Sequence, residues 1–265
     1  MADLGELRGN ESRLPEVWTP LLIAVVGVAI VLYGFSKTAM PVAAVVGGPM
    51  LAAALGPTVA AGFALPLLIL GDLIGLLYFR QHANWRLIAK VMPGVIAGIV
   101  ITALLFAFAS TSVVARVIGV LLLVSVGLEI YRRRSLSLER RDQDASVRRL
   151  EAGFYGTLTG VTTMAANAGG AAMTLYLVKM RVPMLTFMGT SVWFFFILNV
   201  IKLPFVIPLG LITRESLLIG LWFIPALVVG ALLGITAFRR MNQIWFERIA
   251  LALSALASLW LVLRG

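Results

Sequence analysis

The chain contains no cysteine, so disulfides, thiolate metal sites, iron–sulfur clusters and thiol relays are all excluded. Histidine is nearly absent as well. His82 is the sole example and stands two residues from Arg80, which rules out His-pair metal motifs and a histidine proton wire and reads as an interfacial side chain. Charge is scarce at 13% of residues, against about 25% in soluble domains. Long polar stretches are missing too. Only residues 1–17 and 132–149 qualify, and neither is long enough to bury a core of its own. The N-terminus lacks the basic start of a cleavable signal, since Asp3, Glu6, Glu11 and Glu16 outnumber Arg8 and Arg13, so the first helix is expected to be retained.

What the chain has instead is apolar surface: 60% of its 265 residues are hydrophobic and the mean hydropathy is +0.99. A spanning helix uses about 20 residues, which allows roughly ten passes at most. Hydrophobic runs cover Trp18 to Phe35, Met40 to Leu55, Val59 to Phe79, Leu87 to Ala109 and Ser112 to Tyr131. The second half repeats the pattern with Ala152 to Met164, Ala168 to Met180, Met184 to Val206, Ser216 to Phe238 and Ile244 to Leu263. The expected fold is therefore an all-α polytopic integral membrane protein. The first two runs of each half are short, and helix breakers separate them at Gly34 to Pro41 and at Gly160 to Gly170.

Landmarks of the two halves recur in the same order. Gly34 to Pro41 parallels Gly160 to Asn167, Gly62 parallels Gly189 so that Asp72 falls opposite Asn199, and Pro93 with Gly98 parallels Pro225 with Gly230. Arginine placement sets the orientation, because short loops rich in Lys and Arg stay in the cytoplasm. The segment 132–149 holds seven arginines against Glu139, Asp142 and Asp144 and reads as a basic cytoplasmic linker. Counting crossings from it puts Arg80, Arg86 and Lys90 inside, Pro57 outside, and Lys179 with Arg181 inside. Pro57 and its counterpart Pro183 then face opposite sides, as two inverted-topology repeats of about five hydrophobic segments each require. The expected organisation is an external tail at 1–17, a first repeat at 18–131, the linker at 132–149 and a second repeat at 150–265. Whether the short helix pairs span fully or are re-entrant is left open.

The broken pairs are also where a ligand is expected. A helix break in lipid frees backbone groups that must be buried in protein or line a wet cavity, and the freed amide ends carry partial positive charge suited to anions. Gly169 and Gly170 permit close approach of a substrate to the backbone, with close helix packing as the alternative role of such glycines. Lys37, Thr38, Asn167, Thr190, Ser191, Asn199 and Lys202 are the expected donors to the anion. A charge at a helix centre costs about 2.5 to 3.5 kcal/mol on insertion scales, so Lys37, Asp72 and Lys202 are expected to face a cavity or one another, the lysines having snorkelling as the alternative. Asp72, about two turns from the nearer end of its run, is the expected coupling or gating group.

These features resemble the TauE/SafE family of sulfite and organosulfonate exporters. In the first half the resemblance lies in residues Val46 to Met50, Ala60 to Gly62, Tyr78 to Arg80, Asn84 to Arg86, and Pro93, Gly94 and Gly98. The second half carries it more clearly, in Gly160, Asn167 to Gly170, Val182 and Pro183, Gly189 to Ser191, Phe196 to Lys202, and Pro225 with Gly230 and Gly234. The resemblance implies a bacterial inner-membrane transporter of sulfite, sulfonates or related carboxylates. The residues and the resemblance together lead to an expected secondary transporter working by alternating access, with a proton or sodium ion as coupling partner, a homodimer compatible with the sequence, and neither cofactor, metal nor nucleic acid. A passive anion channel is the alternative. An intramembrane enzyme is a weaker one, because paired carboxylates are lacking and only a Ser–Lys dyad is available.

Overall fold

The computed structural model describes residues 14–15, 17–105, 120, 123, 145–166, 169–208 and 210–264. Ten α-helices and two short 3-10 turns make up the regular structure of these residues. Helices satisfy every backbone hydrogen bond within one segment, which is what an apolar chain in lipid needs. The helices are α1 (Pro20–Thr38), α2 (Ala44–Leu55), α3 (Pro57–Phe79), α4 (Trp85–Leu105), α5 (Ala145–Ala166), α6 (Gly170–Lys179), α7 (Met184–Val206), α8 (Arg214–Trp222), α9 (Ile224–Arg240) and α10 (Gln243–Arg264). Among the described residues three helices are long and apolar enough to cross a membrane, and a fourth span results if the bent pair α8 and α9 counts as one.

Most runs became helices close to their expected bounds; the departures have local causes. The expected helix Ser216 to Phe238 is bent by 52° between α8 and α9. Pro225 lacks the N–H that would bond the Leu221 carbonyl four residues back, and that carbonyl instead accepts from Phe223 N–H. The breaks of the short pairs are narrower than the sequence suggested. α1 continues through Gly34 to Thr38, so Lys37 and Thr38 occupy its last turn, and α5 continues through Gly160 to Ala166. α5 also starts at Ala145, within the basic stretch. The expected run Ser112 to Tyr131 falls almost entirely outside the described residues.

The chain forms two compact units, Met1–Gln81 with Val192–Arg240, and His82–Ser191 with Met241–Gly265. Each draws on both halves of the sequence. In the first unit α1 packs lengthwise on α9 through small residues: a Cβ at Gly34 would strike the Leu227 carbonyl, and one at Gly230 the Val31 carbonyl. Without a hydrophobic drive between helices in lipid, such close backbone approach supplies the attraction. A core of Ile30, Tyr33, Leu51, Phe63 and Leu227 joins α1, α2, α3 and α9. In the second unit α4 packs on α5 by the same means. Gly94 and Gly98 on one helix face Gly156 and Gly160 on the other, each pair spaced four residues apart, and a Cβ at Gly98 or Gly160 would strike the Thr157 or Val95 carbonyl. α6 is buried from Gly170 to Val178.

Candidate functional site: a buried charge cluster

Three helices of the first unit converge on Asp72. Its Oδ1 lies 2.7 Å from Lys37 Nζ, with the two side chains 0% and 7% exposed. Its Oδ2 accepts a hydrogen bond from Asn199 Nδ2 at 2.7 Å. The Lys37 ammonium also sits 5.2 Å from the centre of the Phe195 ring, a favourable cation–π distance. Lys202, one turn beyond Asn199 on α7, interacts electrostatically with both Asp72 and Lys37. Two lysines thus share one carboxylate, and in the sequence Asp72 is the single acid in 17–128 and 152–214.

The local sequence makes this possible. A Cβ on Gly71 would come within 3.1 Å of Lys37 Cγ and one on Gly75 within 2.7 Å of the Lys37 carbonyl, so the glycines either side of Asp72 bring α3 close enough for a short ion pair. Loss of either partner would leave the other buried without its ion-pair partner, a penalty of up to about 3–5 kcal/mol.

The other expected donors have different surroundings. Thr38 donates to the Ala231 carbonyl at 2.8 Å, which ties the end of α1 to α9. In the second unit, Thr190 Oγ1 accepts from the backbone N–H of Asn84 at 2.9 Å, whereas the Ser191 hydroxyl is fully buried and has no hydrogen-bond partner among the described residues. Gly169 caps the start of α6 and Gly170 is its first residue. A Cβ on Gly169 would meet Thr163 Cβ at 3.0 Å, a tight contact that marks close packing on α5. Asn167 lies outside the described residues. The first-turn amides of α6 point away from any intrahelical carbonyl and give its buried start positive polarity.

Over residues 21–261 the sequence matches the family model described as sulfite exporter TauE/SafE. The chain belongs to the TauE/SafE family. It is therefore a transmembrane transporter of an anion-exporting family, in keeping with its apolar helices. No curated protein and no solved structure matches it.

This TauE/SafE chain also holds polar contacts that the sequence did not disclose. Lys179 Nζ pairs with Glu151 Oε1 at 2.7 Å and sits 5.6 Å from the centre of the Tyr155 ring, which makes a second partly buried ion pair, between α5 and α6. Gln243 holds the link between α6 and α7 at two points: its Oε1 accepts from Met184 N–H at 2.8 Å and its Nε2 donates to the Val182 carbonyl at 3.3 Å. Glu151 at the edge of its run was a visible signal. The pairing with Lys179 and the reach of Gln243 across about 60 residues were not.

Proposed function

We propose that the chain is a secondary transporter that carries a small anion, sulfite or an organosulfonate or related carboxylate, across the inner membrane by alternating access. The observation that carries this reading is the buried cluster of Lys37, Asp72 and Asn199 with Lys202 beside it. Lysines in apolar helices are costly and mark substrate pathways. Here Lys37 pairs with Asp72, so an incoming anion competes with the carboxylate for its ammonium, and the charge of Lys202 beside the pair adds to the attraction. Asn199 is a neutral donor that serves either the carboxylate or the substrate. A proton taken up by Asp72 would release Lys37 to the anion, which makes Asp72 the coupling group.

The inverted repeat is part of the proposal. Asp72 and Asn199 each lie ten residues after a matched glycine, Gly62 and Gly189, and they hydrogen-bond to each other. Contact between equivalent positions is expected near a pseudo-two-fold axis, and transporters of this kind bind substrate at the interface of their repeats.

The test is flux of sulfite and short sulfonates into proteoliposomes under an imposed pH gradient. Wild-type protein is expected to accumulate anion against its gradient, and Asp72→Asn to abolish accumulation and the pH dependence of the rate. Unchanged pH dependence in that variant would remove Asp72 from coupling, and purely downhill flux in the wild type would favour a channel.

A further inference from the structure

The first unit carries a groove of about 450 Å³ that has no part in the charge cluster. Its walls are Leu70, Leu73 and Leu77 of α3 with Ile224 of α9, and only Arg80 and Trp193 bring polar groups to it. Leu73 and Leu77 are 44% and 75% exposed, so the groove opens outward. From Leu70 to Arg80 is ten residues, or about 15 Å at 1.5 Å per residue. That is half of the roughly 30 Å hydrocarbon core, the depth of one leaflet. The cation stands at the end of the groove, where α3 finishes at Phe79 and Arg80 follows. Trp193 is fixed beside it, since its Nε1 donates to the Arg80 carbonyl at 3.2 Å. No carboxylate among the described residues pairs with Arg80, whose side chain is exposed.

An apolar slot one leaflet deep that ends in an arginine and a tryptophan matches a molecule with an acyl chain and an anionic head. The geometry points to a binding site for an anionic phospholipid, with a chain along Leu70, Leu73 and Leu77 and its phosphate on the Arg80 guanidinium. Arginine suits a phosphate because its planar fork presents two parallel donors, and indole rings favour the headgroup level. A free phosphate would use only the mouth of the site and leave its apolar length empty. The charge match sets the preference among lipids: a zwitterionic headgroup carries its own cation and gains less from Arg80.

Native mass spectrometry of the full-length chain in detergent, titrated with phosphatidylglycerol, phosphatidylcholine or inorganic phosphate, tests this. Phosphatidylglycerol is expected to bind about fivefold more tightly than phosphatidylcholine, the effect of one basic residue near an anionic headgroup, and inorganic phosphate is expected not to bind measurably. Arg80→Gln should erase the preference and Arg80→Lys should keep part of it. Ile224→Trp, which fills the groove and leaves Arg80 in place, should weaken both lipids. Equal binding of the two lipids by the wild type, an undiminished preference in Arg80→Gln, undiminished binding in Ile224→Trp, or binding of inorganic phosphate as tight as that of the lipid would each overturn the assignment.

Discussion

At the scale of single residues, the burial of Asp72 makes its partners interdependent. Lys37→Met leaves the carboxylate at 0% exposure without its ammonium, and a loss of up to about 3–5 kcal/mol in folding stability is expected. Adding Asp72→Leu removes the stranded charge, so the double variant should melt above Lys37→Met alone in a thermal-unfolding series. Strictly additive losses would mean that the 2.7 Å pair is not energetically coupled. Ser191 gives the opposite signature. Its hydroxyl is fully buried and unpartnered among the described residues, so Ser191→Ala should leave stability unchanged or raise it by about 1 kcal/mol. If the hydroxyl donates to substrate, the same variant raises the KM for the anion in flux assays, and an unaltered KM would make Ser191 a packing residue.

At the scale of elements, glycine determines which helices meet. Gly160→Leu on α5 would drive a side chain into the Val95 carbonyl of α4, and overpacking of this kind costs about 1–3 kcal/mol or more. The variant should show a lower melting temperature and yield than Gly153→Ala, since a Cβ at Gly153 meets nothing within 4 Å. Gln243→Ala frees the part-buried Met184 N–H and Val182 carbonyl, and a cost of about 0.5–1.5 kcal/mol is expected, the net worth of a hydrogen bond whose groups water can reach. Much at this scale was legible in the sequence. Hydropathy located the helices because in lipid a run of apolar residues has no other stable conformation, and the scarcity of intramembrane charge singled out Lys37, Asp72 and Lys202. What hydropathy could not supply was pairing. Gly34 and Gly160 read as breakers, whereas both lie within helices and mark close contacts, because the sequence does not say which face of a glycine another helix occupies. The bend before Pro225 and the continuity of α4 through Pro93 show the same limit, since each proline removes one helical hydrogen bond and the sequence does not say which of the two helices bends for it.

For the whole molecule, the proposed inversion makes a claim about sidedness that the absence of cysteine renders directly testable. Single cysteines can be introduced without first clearing the background. Positive charge near Arg80 and near Lys179 predicts that Ala83→Cys and Val182→Cys react with a membrane-impermeant maleimide only from the cytoplasmic side. Thr58→Cys and Ile212→Cys, in stretches poor in Lys and Arg, should react only from outside. The decisive comparison is Thr58 against Val182, which flank the counterparts Pro57 and Pro183. Opposite labelling is what inversion requires, and it would place the Asp72–Asn199 contact between two segments that run in opposite senses through the bilayer, as rocking of one repeat against the other demands. Labelling of both from the same side would make the repeats parallel. The hydrogen bond between two equivalent positions would then have no symmetry behind it, and the anion site would have to be sought away from Asp72.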